Sequence, residues 1–181
     1  MLIIKGEHLK SSEKKMLHRF CHYVMDHFCA PAVQARATII IKFIDPRTLK
    51  GKDKKDLREF KAWSVYDWVD DTNYRNKHFT IMVSSSTLTS RKRTKKMIRR
   101  LKDAMECIGH ELVHVKQVMN HESFDYKNGD VRYKGKRYSD WEEGEKYYFS
   151  PWELEAYGHE QGLFKVFEAK LKQEEAKAKK P

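Results

Sequence analysis

Apolar residues recur every three or four positions in three stretches of the chain and crowd into short runs between them. From Ser11 to Ala30, Leu17, Phe20, Cys21, Val24 and Phe28 form one stripe, which predicts a helix that Pro31 stops. No capping box marks its start, since the residue three after Ser12 is Lys15. From Thr89 to Asn120, Ile98, Leu101, Met105, Ile108, Leu112, Val115 and Met119 predict a long helix with a core-facing stripe. A third helix is predicted from Pro151 to about Gln173. The β-branched run Thr38 to Ile44, ended by Asp45-Pro46, reads as a central strand buried on both faces. Ala62 to Val69 and Lys77 to Ser84 read as a hairpin, with turn chemistry at Asp70-Asp71-Thr72-Asn73. Arg47 to Lys61, rich in lysine, reads as an exposed loop. Lys127 to Asp130 and Lys134-Gly135 signal turns between small strands. This order predicts a single α+β domain over residues 1–165. Residues 166–181, a mixture of Lys, Glu and Ala, are expected to form a charged helix end that frays.

Composition narrows the class. Of 181 residues, 40% are hydrophobic and 12% aromatic, enough to fill a core. Thirty-seven Lys and Arg against 26 Asp and Glu leave a net charge of +11, which favours polyanionic neighbours. No apolar run approaches the roughly 20 residues that span a bilayer, and the N-terminal apolar stretch is too short for a signal peptide. Cys21, Cys29 and Cys107 form no C-x-x-C pair, so neither a disulfide scaffold nor a cysteine-rich metal site is expected. A soluble, cytoplasmic protein without membrane partners fits these features best.

The long helix carries His110-Glu111-Leu112-Val113-His114, the pattern H-E-x-x-H. Residues four apart share a helix face, so both imidazoles can converge on one ion. Glu111 is about 100° round from His110, placed to accept a proton from an attacking water without ligating the ion. Composition alone gives this pattern a chance of about 0.04 in such a chain, so context must support it. Here the apolar stripe lies opposite the histidines, as in a helix that floors a cleft.

A catalytic zinc site needs a third protein ligand. Ser150-Pro151-Trp152-Glu153 has the pattern of a capping box with proline at the first helical position. That duty would occupy Glu153 and leave Glu155 free, so Glu155 is the expected ligand and Glu153 the alternative. A third histidine at metzincin spacing is excluded: the glycine and histidine positions hold Gln117 and Asn120. His159, one turn beyond Glu155, is a weaker alternative.

The stretch Ile108 to Gln117 resembles the active-site helix of zincin metallopeptidases, and Pro151 to Ala156 is similar to the Glu-Ala helix of gluzincin-like members. With the Lys134 to Tyr138 hairpin, the combination resembles small metallopeptidase-like proteins of bacteriophages. The resemblance covers about residues 77–160. It implies a zincin-like fold with a small mixed or antiparallel sheet, a long active-site helix and a C-terminal ligand-bearing helix. It also implies zinc-dependent hydrolysis of a protein or peptide substrate, and Glu155, just before Ala156, as third ligand. The family's substrate-holding edge strand would be His78 to Ser84.

Weaker signals remain. Arg91 to Lys102 carries eight positive residues and no negative one. At the start of a helix such charge opposes the macrodipole, and nucleic-acid phosphate would relieve it. The rival reading is therefore a basic nucleic-acid-associated protein with a structural or decayed zinc site, or a DNA-associated protease that combines both. His18, His22 and Asp26 share a spacing of four, but they fall on the polar side of the first helix, where solvated histidines are expected. Cys107 could approach the metal, though a buried thiol is the simpler expectation. Tyr147, Tyr148 and Tyr157 flank the third-ligand helix, where one could donate to an oxyanion.

Overall fold

The computed structural model describes residues 1–50, 61–66, 77–89, 94, 96–126, 128–141 and 145–178, with backbone only for 63–66. The elements in chain order are β1 (Leu2–Lys5), α1 (Ser11–Phe28), α2 (Pro31–Gln34), β2 (Ala37–Ile44), β3 (Ala62–Tyr66) and β4 (Lys77–Ser84). After these come α3 (Met97–Arg100), α4 (Lys102–Met119), β5 (Ser123–Asp125), β6 (Val131–Tyr133), β7 (Lys136–Tyr138), α5 (Glu145–Tyr148) and α6 (Pro151–Ala178). No helix among them is long and apolar enough to cross a membrane, and all three cysteines are free.

The architecture is mixed α and β. A four-stranded sheet has the order β1-β2-β4-β3, and a separate three-stranded sheet has the order β5-β6-β7. In the larger sheet β1, β2 and β4 are parallel, and β3 pairs antiparallel with β4. The expected hairpin of the two middle strands is therefore present, while its turn at Asp70–Asn73 lies outside the described residues. Register explains the one-sided core. Ile39 faces Phe79, Ile41 faces Ile81 and Phe43 faces Val83, and all six are buried. The alternate residues Thr38, Ile40, Lys42 and Ile44 are only half-buried, so β2 is central but not enclosed on both faces as expected. Helices α1 and α4 cover the buried face, and α6 lies against α4.

Three expectations change at this level. First, β4 is hydrogen-bonded to β2 on one side and β3 on the other, so it is not an edge strand; β1 and β3 are the edges. Second, the long helix begins at Lys102, after a break at Leu101 that separates it from the single turn α3. Residues 90–93 and 95 lie outside the described residues, Thr94 and Lys96 are not helical, and Arg99 and Arg100 end α3, so of the described members Lys102 alone stands in the first turn of the long helix. Third, α6 continues without a break from Pro151 to Ala178. Phe167 and Leu171 are buried, and Phe167 packs edge-on to Phe20 at 5.3 Å, so the expected charged end contributes to the core up to that point. The tight turns of the small sheet are as expected: Lys134 and Gly135 take φ of 46° and 84°, the paired positive values of a two-residue hairpin turn.

The basic run also contains a core ion pair. Arg100 Nε donates to Glu13 Oε1 at 2.7 Å, with the two side chains 9% and 5% exposed. Glu13 in turn accepts from the Lys10 amide at 2.8 Å, closing the start of α1. Because removing one partner strands a buried charge, Arg100→Met should destabilise the fold by about 3–5 kcal/mol in a denaturant titration. A change under about 1 kcal/mol would mean that the pair is solvated.

Candidate metal centre

His110 and His114 sit mid-way along α4, whose Ile108, Leu112, Val113 and Val115 are fully buried around it. That packing fixes the helix rotation and turns both imidazoles toward the start of α6. Their Nε2 atoms lie 3.2 Å apart. The Glu153 carboxylate spans them, with Oε2 3.2 Å from His110 Nε2 and Oε1 3.3 Å from His114 Nε2. Among the described residues, His110, His114 and Glu153 are the one group of three histidine, cysteine, aspartate or glutamate side chains close enough to hold a metal ion. Glu153 is 3% exposed, and its Oε2 has no geometrically sound hydrogen-bond donor among the described residues. An orphaned, buried carboxylate oxygen is costly unless a cation or donor meets it.

The acid grouped with the two histidines is thus Glu153, the alternative, and not Glu155, the expected one. The capping box that would have occupied Glu153 does not form. The Ser150 amide donates to the Tyr147 carbonyl at 3.1 Å, and the buried Ser150 hydroxyl has no partner among the described residues. A cap is worth about 0.5–2 kcal/mol, and in a water-poor site the attraction between the Glu153 carboxylate and the two imidazoles exceeds it. Glu155 is fully engaged elsewhere. It accepts from Lys116 Nζ at 2.9 Å, from Gln117 Nε2 at 2.9 Å and from the Tyr133 hydroxyl, and Lys134 Nζ lies 3.5 Å away.

The sequence held a signal for Glu153. Glu153, Ala156, Glu160, Leu163, Phe167 and Leu171 follow one another at spacings of three and four, so Glu153 continues the stripe that α6 buries. Glu155 lies off that stripe.

Charge within the group is strongly coupled. Burial opposes the imidazolium of His110, but Glu153, Glu160 and Glu111 outweigh it and raise its pKa to about 10. His114 is raised in the same way, against burial, by Glu153 and Glu111. Burial pushes the Glu153 carboxyl up, but the two histidines hold it down at about 2. Glu155 is likewise held at about 2, against burial, by Tyr133, Lys116 and Gln117. Glu111 is 6% exposed, and its charge acts on both histidines and on Tyr147 and Tyr157. The expected base therefore lies beside the group without being part of it.

Several surrounding residues were not foreseen. Gln117 is 1% exposed; its Oε1 is 3.0 Å from His114 Nδ1, and its Nε2 donates to the Trp152 carbonyl at 3.0 Å. Glu160 Oε2 lies 3.6 Å from His110 Nδ1, just outside hydrogen-bond reach. Asp125, on β5, is pushed above the usual carboxylate range by burial, partly offset by His114. Of the tyrosines, Tyr147 is hydrogen-bonded to Glu153, and burial together with that carboxylate raises its phenol. Tyr157 packs edge-on to the His110 ring at 4.6 Å. Tyr148 is 46% exposed.

The weaker candidates separate from the site. His159 packs edge-on to Phe28 at 5.0 Å and is not in the group. His18 and His22 have ring centroids 6.3 Å apart, and Asp26 accepts from Gln34 instead of joining them. Burial raises the Cys107 thiol to about 12, and Cys107 is not in the group. In the basic run, Arg91, Lys92, Arg93 and Lys95 lie outside the described residues. Arg100 is committed to Glu13, and Lys102 Nζ pairs with Glu106 at 2.6 Å, so of the described members Lys96 and Arg99 are the exposed ones outside these pairs.

Comparison of the chain with protein-family models, with curated proteins and with solved structures gives no match.

Proposed function

We propose that this protein is a zinc-dependent peptidase with His110, His114 and Glu153 as the metal ligands and Glu111 as the general base. The observation that carries the reading is the convergence of the two Nε2 atoms and a buried, under-satisfied carboxylate, with contacts of 3.2, 3.2 and 3.3 Å. Ligand atoms around a tetrahedral zinc with bonds of about 2.0–2.1 Å stand about 3.3–3.4 Å apart. Two histidines and one glutamate are also a donor set of catalytic zinc, which keeps a position open. When bound, zinc supplies Lewis acidity to polarise a scissile carbonyl and to activate water.

The chain's own residues supply the rest. Glu111 takes a proton from the attacking water on its carboxylate and returns it to the leaving amine. Tyr147 orients Glu153 through its hydroxyl. Tyr157, 44% exposed and packed on His110, fixes that ring from the solvent side. Elemental analysis should find about one zinc per chain in protein purified without chelator. An unstructured protein substrate should then be cleaved, with cleavage stopped by chelation and restored by zinc. Absence of zinc from both the native and the reconstituted protein would end this reading.

A further inference from the structure

We infer that Gln117 is a positioning residue that fixes His114 with its proton on Nδ1 and its Nε2 lone pair facing Glu153 and His110, and that Glu155 holds Gln117 in that orientation. The inference rests on the metal reading above and adds to it a determinant of metal affinity outside the ligand set.

The argument is a satisfaction count. One end of the Gln117 carboxamide faces the Trp152 carbonyl at 3.0 Å and Glu155 Oε2 at 2.9 Å. A carbonyl and a carboxylate can only accept, so this end must be the NH2 group. The other end, 3.0 Å from His114 Nδ1, is therefore the carbonyl oxygen. That oxygen carries no proton, so His114 Nδ1 must donate. A neutral imidazole protonated at Nδ1 has a bare Nε2, the form that a ligating histidine needs. Turning the amide over would set its oxygen against two acceptors. At 1% exposure, no bulk water is present to repair the loss.

Glu155 is itself immobilised. Lys116 Nζ at 2.9 Å and the Tyr133 hydroxyl hold it from two other elements, so the relay runs from α4 and β6 through Glu155 and Gln117 to His114. His110 Nδ1 has no hydrogen-bond partner among the described residues, with Glu160 Oε2 3.6 Å away, so the histidine held through Nδ1 is His114.

The test combines long-range proton–nitrogen correlation spectra of the histidines with chelator competition for Zn2+. In the zinc-loaded wild type, His114 should keep a protonated Nδ1, and its Nε2 should carry the metal-induced shift. Gln117→Met, which keeps length but removes the acceptor, should bind Zn2+ about 10–100-fold more weakly, as for other outer partners of metal-bound histidines. Tyr133→Phe should stay within about threefold of wild type, because Lys116 and Gln117 still hold Glu155. A proton on His114 Nε2 with a bare Nδ1 would overturn the inference, as would Gln117→Met binding Zn2+ like the wild type. If the wild type binds no Zn2+, the peptidase reading fails separately. The metal-free wild-type spectrum then decides this one: a bare Nδ1 on His114 overturns it. The wild-type spectrum needs no variant, so it decides even if Gln117→Met does not fold.

Discussion

Glu153→Ala is expected to weaken Zn2+ binding by more than about 100-fold, because it removes one of three ligands, whereas outer partners cost about 10–100-fold. Glu155→Ala should weaken it less, acting only through the loss of the Gln117 anchor. The two variants separate because the acids, two residues apart on one helix, face different partners. Glu153 meets the two Nε2 atoms at 3.2 and 3.3 Å, and Glu155 meets Lys116 and Gln117, each at 2.9 Å. Chelator competition on both variants in parallel measures the difference. If Glu155→Ala loses the more affinity, the ligand role returns to Glu155.

Glu111→Gln should keep zinc at the wild-type stoichiometry and lower kcat/KM on any cleaved peptide by about 10²–10⁴-fold, the usual worth of a general base. The substitution is nearly isosteric at a position 6% exposed, so packing is preserved while the proton acceptor is lost. Glu111 is not one of the three grouped residues, which is why metal content should not follow activity. Full activity in Glu111→Gln, measured with zinc content confirmed, would remove Glu111 from the mechanism. Loss of zinc along with activity would instead make it a ligand.

Much of the fold was legible because periodicity survives folding. The stripe through Ile108, Leu112 and Val115 gave α4 and its buried side, and the β-branched run Thr38 to Ile44 gave β2 as a central strand, though not its one-sided burial. The misreadings fall where a local signal competes with a distant one. Lys77 to Ser84 has the same local pattern whether it lies at an edge or between neighbours, and only pairing with both β2 and β3 makes it internal. The charged C-terminal stretch looked soluble by composition, yet Phe167 and Leu171 tie it to the core. The start of α1 has no serine or threonine capping box, yet Glu13 closes it, because its carboxylate accepts from the Lys10 backbone amide.

By itself the sequence determined the helix that carries His110 and His114, two of the three grouped residues. Four positions make about one turn of any α-helix, so His110 and His114 must share a face wherever the helix packs. It also determined that an acid near the start of the next long helix was available. Which acid was used was decided only by tertiary structure. A local cap of about 0.5–2 kcal/mol favours keeping Glu153 at the helix terminus, the stripe from Glu153 to Leu171 favours burying it, and no local pattern weighs one against the other. Leu163 beside Gly109 of α4 and Phe167 on Phe20 of α1 fix the rotation of α6 and carry Glu153 between the two imidazoles. There, charge interactions in a water-poor site exceed the cap. The same rotation carries Glu155 to Lys116, Gln117 and Tyr133, cations and donors that lie 22 to 39 residues away in the chain and that no local pattern could have brought to it.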